Sequence, residues 1–319
     1  MSTLPNVSTP DSRKRRASAI WRSKDEQAFF WISLAPAVLI TASIVLVPIG
    51  YTVVLSFFAA DTLGSRTVFI GLGNFMELAA DAQVWRALGH SILFAVGSTA
   101  LSTVLGVLAA LALNQKFWGR EFLKAAALFS YVVPTIVVAL MFKLLFNSNG
   151  IVTLLLKDIG FVAGFVPVLG DTRYAMLAVV VISSWAWFPF TMINCLAGLQ
   201  MIPVNLYESA AIDGANNVRT FFAITLPLLL PTLLVTVLVR LIWAFRTFDL
   251  VWLLTQGGPI DVTTVLPIVA YREAFGTYRM GYASAIATVL MAFLSLIAIG
   301  YFRAYRAAKR TGLGDAYGR

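Results

Sequence analysis

Apolar residues gather into six long blocks separated by short polar breaks: 29–58, 91–113, 122–146, 175–199, 221–244 and 282–302. Each is about 20 residues or longer, the length an α-helix needs to cross roughly 30 Å of hydrocarbon. None alternates apolar and polar positions as a barrel strand does. Lipid also leaves open backbone groups without partners, so every block is predicted to be a helix. The expected fold class is all-α and integral to the membrane, with six transmembrane helices.

Basic residues orient these spans. Arg13, Lys14, Arg15, Arg16, Arg22 and Lys24 precede the first block. Lys116, Arg120 and Lys124 surround the break between the second and third, and Arg303, Arg306, Lys309 and Arg310 follow the last. All three groups fall on one side, which the positive-inside rule makes the cytoplasm, so both termini are expected there. The opposite loops balance acids against bases, as with Glu77, Asp81 and Arg86, or Asp261, Arg272, Glu273 and Arg279. Three regions follow: a disordered basic tail over 1–28 lying against anionic lipid, a six-helix transmembrane domain over 29–302, and a second basic tail over 303–319. The first block continues past a signal-peptide length, through Pro36 and Pro48, and is read as a retained anchor.

Composition agrees and narrows the chemistry. The chain has 319 residues, 59% hydrophobic and only 12% charged, with a mean hydropathy of +0.83, too apolar for a soluble domain. Its net charge of +9 is accounted for by the loops and tails, so no nucleic-acid partner is invoked. The single Cys195 can form no intramolecular disulfide and reads as a small core residue. The only histidine, His90, has no second ligand at metal spacing and suits an interfacial or capping role. No phosphate-cradling glycine loop ending in Lys and Ser/Thr occurs, and no paired acids lie within a span. The chain is expected to be neither an ATPase nor any other enzyme, and to hold no cofactor or metal.

Residues 207–227 hold a polar break between the fourth and fifth apolar blocks and lead into the fifth. Asn205 and Glu208 have the spacing of an N-cap and a capping-box acid, residues 206–213 suit a short helix, and Gly214 is a natural left-handed stop. Asn217 is expected to cap the helix that enters the membrane through Phe221, Phe222 and Ile224. The result is a helix, a glycine elbow and a second helix at the membrane surface.

This segment resembles the signature of the membrane subunits of binding-protein-dependent ABC importers. Glu208, Ala210, Asp213, Gly214, Ala215, Phe221, Ile224, Leu226 and Pro227 fit the family pattern, and Ser209 replaces the first alanine. The stretch 245–259, ending in Gly257, Gly258 and Pro259, is similar to sugar-importing permeases of the maltose and glycerol-phosphate type, as are 70–75, 105–112 and 149–152. The resemblance implies the six-helix ABC importer permease fold, with a cytoplasmic coupling loop at 201–220. There Glu208, Ala210, Ala211, Asp213 and Gly214 would meet a separate ATPase that binds ATP and magnesium. It further implies a second homologous permease, two ATPase copies and an external solute-binding protein, with a sugar or sugar derivative as cargo moved by alternating access.

Sugars need aromatic faces and a few polar groups. Ser183, Trp187, Phe190, Thr191 and Asn194 share one face of the fourth span at steps of three and four residues. By distance from Glu208, Trp187, Phe190, Arg240, Trp243 and Thr247 match cavity positions of the maltose-type permease, by position rather than residue type. Arg240 lies deep in the fifth span, where it must face a cavity, pair with an acid or snorkel. Two roles are open to it, an ion pair of structural purpose or a contact with an anionic sugar derivative. Competing classes are an importer of another small solute, a scaffolding protein, and a secondary transporter, which would need acids inside its spans.

Overall fold

The computed structural model describes residues 24–61, 67–160 and 167–308. The chain divides into two compact units, Met1–Val54 and Leu55–Arg319. In the first, the described residues form the helix α1 (Lys24–Leu55), apolar on every side after its polar first turn, with Pro36 and Pro48 inside it. It begins five residues before the expected span, so 24–28 is helix rather than tail, and the rest of the expected tail lies outside the described residues.

In the second unit a short antiparallel ladder, β1 (Phe58–Ala60) with β2 (Thr67–Phe69), departs from the all-helical expectation. It pairs Phe58 with Phe69 and Ala60 with Thr67. Asn74, buried in α2 (Gly73–Ala80), fixes its base by donating from Nδ2 to the carbonyls of Ser56 and Phe58. α3 (Ala82–Asn114) follows, capped by Asp81, whose Oδ1 accepts from the Gln83 N–H at 2.8 Å. At 33 residues it is about 50 Å long, so it overruns the hydrocarbon by several turns.

The third predicted span, 122–146, is not one helix. α4 (Arg120–Val132) and α5 (Thr135–Leu145) meet at 98°. Pro134 has no N–H for the helix ladder and forces Val133 into extended backbone, with φ −65° and ψ 129°. Among the described residues five helices are long and apolar enough to cross a bilayer, and this bent pair makes up the sixth apolar segment.

After α6 (Ile151–Asp158), α7 (Ala175–Gln200) packs along α3 more extensively than any other pair of elements. The approach is close because Gly106 lacks a side chain: a Cβ there would lie 2.5 Å from Thr191 Cβ and 2.9 Å from the Phe188 carbonyl oxygen. α8 (Val204–Ile212), α9 (Asn217–Thr220) and a wide π-turn at Phe221–Thr225 lead into α10 (Leu226–Phe245). α10 runs antiparallel to α7, since Leu229 and Thr232 approach Gly198 while Arg240 meets Ser183.

α11 (Asp249–Thr255), α12 (Leu266–Tyr271) and α13 (Met280–Ala308) complete the unit. α13 continues past the expected boundary at 302, and the remainder of the C-terminal tail, 309–319, lies outside the described residues. One buried cluster joins Leu113 of α3 to Leu199, Ile202 and Leu229, with Tyr207 against it. Another joins Val84 and Ala87, at the start of α3, to Leu266, Val269 and Tyr282. The loop after α3 and the segment around α8 therefore share one end of the bundle, and the loops around α12 share the other.

Candidate functional site

At the first end stands the predicted elbow. α8 ends in a Schellman arrangement: Ala215 N–H donates to the Ala210 carbonyl at 2.9 Å and Gly214 N–H to that of Ala211 at 3.1 Å. Gly214 takes the left-handed conformation this closure requires, at φ +71°. The starts differ from expectation. Pro203, not Asn205, is the N-cap, in extended backbone at φ −61° and ψ 132°, and Asn205 lies inside the first turn. Asn216, not Asn217, caps the next helix by accepting from the Arg219 N–H at 2.8 Å. The capping box is consequently not formed, and Glu208 is exposed with no partner among the described residues.

Ala211, Asp213 and Gly214 are exposed beside Glu208, whereas Ala210 is buried and holds the elbow to the body. Tyr207 helps, its hydroxyl 3.1 Å from Thr225 Oγ1 in the π-turn. Ile212 at 87% exposure and Met201 at 83% leave apolar surface around the acids. Such a face is fixed from behind and open in front, the form suited to docking.

Between α7 and α10 stands an aromatic wall. The rings of Trp187 and Trp243 are 5.2 Å apart, those of Phe190 and Trp243 4.8 Å, and all three are half-buried. Tyr131, at the end of α4, adds a fourth ring 5.7 Å from Trp187. Sequence reasoning missed Tyr131 because only the break at Pro134 brings α4 to this place. Asn194 and Thr247 flank the wall one turn beyond Phe190 and Trp243. Each donates to the carbonyl four residues back, at 2.7 Å for Asn194 Nδ2 and 3.0 Å for Thr247 Oγ1. That bond is the partner an amide or hydroxyl inside a span requires.

The expected polar face of α7 is split. Ser183 and Thr191 are fully buried, Thr191 against Gly106 of α3 and Ser183 against Arg240, leaving Trp187, Phe190 and Asn194 at the wall. Arg240 is completely buried behind it: Nη2 donates to Ser183 Oγ at 3.0 Å, and Cζ lies 5.5 Å from the Trp187 ring centre. No carboxylate among the described residues lies within ion-pair distance, so the expected alternative of an ion pair within this chain is not what the structure holds. Cys195 is buried and unpaired in the α3–α7–α10 core. His90 Nδ1 lies 3.3 Å from the Thr264 carbonyl oxygen, joining α3 to the loop before α12. Among the described residues no group of three His, Cys, Asp or Glu side chains is placed to hold a metal.

Residues 102–310 match the model of the binding-protein-dependent transport system inner membrane component. The chain belongs to that family. It is a membrane transport component, not an enzyme. It is 34% identical over 280 residues to the trehalose/maltose transport system permease protein MalF of Thermococcus litoralis, covering 86% of this chain and 94% of that one. It is 31% identical over 288 residues to the sulfoquinovosyl glycerol transport system permease protein SmoG of Agrobacterium fabrum, covering 90% and 93%. In fold it is similar to a chain of a bacterial ABC transporter involved in the import of the acidic polysaccharide alginate, with a TM-score of 0.76 at 22% identity over 90% of this chain and 98% of that chain. The resemblance read from the elbow and the glycine-rich loops is thereby borne out as family membership.

Proposed function

We propose that this chain is one membrane-spanning subunit of an ATP-driven ABC importer for a sugar or sugar derivative. A solute-binding protein delivers the cargo outside, a second homologous permease completes the pathway, and two copies of an ATPase bind ATP and magnesium inside the cell. The observation that carries the reading is the elbow, with Glu208, Ala211, Asp213 and Gly214 presented together on a rigid support. A docking surface of that kind transmits a push, because α8 is tied to the π-turn through Tyr207 and so to the transmembrane helix α10.

The carbohydrate class draws support from the trehalose/maltose and sulfoquinovosyl glycerol systems of the relatives. The wall of Trp187, Phe190 and Trp243 supports it too, since ring faces stack on sugar C–H groups, with Asn194 and Thr247 flanking as polar groups. In this reading the bent pair α4–α5 is the third of six spans and both termini are cytoplasmic, in a bacterial inner membrane. Residues 29–302 form the permease domain, with its coupling loop at 201–220, between basic tails. A secondary transporter is disfavoured because none of the five long apolar helices carries Asp or Glu.

The test is reconstitution of the complex in lipid with its binding protein and a sugar panel. Glu208→Ala, or Gly214 replaced by Val, is expected to leave the complex assembled but to separate ATP hydrolysis from uptake. Normal coupled uptake in both variants refutes the assignment of the elbow.

A further inference from the structure

The geometry points to Arg240 as the receptor for an anionic group, so that the cargo of this importer is a sugar derivative bearing a carboxylate, sulfonate or phosphate. This inference rests on the importer reading above and narrows it.

Arg240 is 0% exposed, and a guanidinium keeps its charge at neutral pH. One hydrogen bond, from Nη2 to the neutral hydroxyl of Ser183, is all that the described residues offer it. Nε and Nη1 have no acceptor, which leaves three N–H donors idle on those two atoms. No acid among the described residues compensates the charge: the ion-paired arginines there, such as Arg272 with Asp261 and Arg279 with Glu77, lie outside the apolar core. A buried cation without a counter-charge is costly, and its idle donors add to the cost, so a partner carrying negative charge is strongly favoured there.

Position decides which partner. One covering of the guanidinium is the Trp187 ring, and that same half-exposed ring belongs to the wall offered for sugar stacking. A sugar laid on Trp187 and Trp243, with its charged substituent turned toward α10, sets that substituent beside the ring that shields Arg240. Rotation of the indole then opens the donors to it. The planar fork of arginine suits two-oxygen recognition of carboxylate, sulfonate or phosphate. Trp187 exchanges a cation–π contact for a sugar face while Arg240 exchanges an incomplete hydrogen-bond set for an anion. Neutral sugars gain the first contact and not the second.

The experiment uses the complete transporter in lipid nanodiscs with its binding protein. ATP hydrolysis is followed with matched pairs of neutral hexosides and the same hexosides carrying a carboxylate, sulfonate or phosphate. Stimulation by one anionic member is expected to exceed that by its neutral counterpart by about tenfold or more. Arg240→Gln should abolish that ratio and Arg240→Lys should keep part of it, a change in selectivity that mere loss of packing does not produce. If Arg240→Gln fails to assemble, Arg240→Lys decides, by a ratio lowered from that of the wild type with the same binding protein. Equal stimulation by neutral and charged members, or an unchanged ratio in Arg240→Gln, overturns the inference and leaves the sugar importer standing; the second result points to a carboxylate of the partner permease. Stimulation by a non-sugar solute alone overturns both.

Discussion

Asp261 shows how a single charge holds an otherwise strained turn. The loop after α11 places Gln256, Ile260 and Asp261 at positive φ, at 52°, 47° and 60°, which non-glycine residues adopt only under constraint. Arg272 provides it: Nη1 donates to Asp261 Oδ1 at 2.6 Å and Nη2 to the Gln256 carbonyl at 2.7 Å. Thr264 Oγ1 adds a bond of 2.8 Å to the same carboxylate oxygen. The hydrogen bond from Arg272 is the main reason the Asp261 carboxyl sits below its ordinary 3.8. A depressed folded-state pKa means that the stabilisation is fully present above the unfolded value, near pH 4, and is lost as the pH falls through the lower, folded value. Protection of the Thr263 and Thr264 amides against hydrogen exchange should therefore fall on acidification below about pH 4, and Asp261→Asn should show low protection without that pH dependence. Gly257 belongs to the same device. A Cβ at its φ of +90° would strike Thr264 Oγ1 and lie 2.9 Å from Arg272 Nη2, so Gly257→Ala should loosen the loop at every pH.

At the scale of elements, the contact of α3 with α7 is the packing on which the wall depends. Gly106→Ala forces Thr191 and the Phe188 carbonyl away and should cost about 1–3 kcal/mol, read as a lower Tm in detergent or nanodiscs. Gly89→Ala, in the same helix with nothing within 4 Å, is the control and should leave Tm unchanged or raise it. The six apolar blocks were legible because hydrophobic length is a local property that lipid reads directly. The ends were less so: the choice of Pro203 over Asn205, and of Asn216 over Asn217, depends on which residue's backbone leaves the helix, and several adjacent residues qualify chemically. The break in the third span was written in the step from Val133 to Pro134, yet Pro189 and Pro231 sit inside continuous helices. Pro36 and Pro48 likewise sit inside α1, so a proline in an apolar run does not by itself say whether the helix breaks there. In the wall, Trp187 and Phe190 were legible from their helical spacing and Trp243 only through the family resemblance, whereas Tyr131 depends on the bend and the burial of Arg240 on the crossing of α7 with α10.

For the whole molecule, the positive-inside argument and the structure meet at one place. The loop carrying Lys116, Arg120 and Lys124 lies at the same end as the elbow, because Leu113 packs with Leu199 and Ile202. Ser91 Oγ accepts from the Leu266 N–H at 2.8 Å, which sets the loops around α12 at the opposite end. If the basic loop is cytoplasmic, Glu208 faces the ATPase compartment and Ile260, 88% exposed, faces the binding protein. The chain is well suited to test this, since its single cysteine, Cys195, is fully buried and should be silent to maleimide reagents. Trp118→Cys and Asp213→Cys should then react with a membrane-impermeant maleimide only in inside-out vesicles, and Ile260→Cys only in right-side-out cells or spheroplasts. Labelling of position 213 from outside would put the elbow beyond reach of ATP and remove the basis for the proposed importer. Labelling of 118 and 213 from opposite faces would contradict the packing of Leu113 against Leu199.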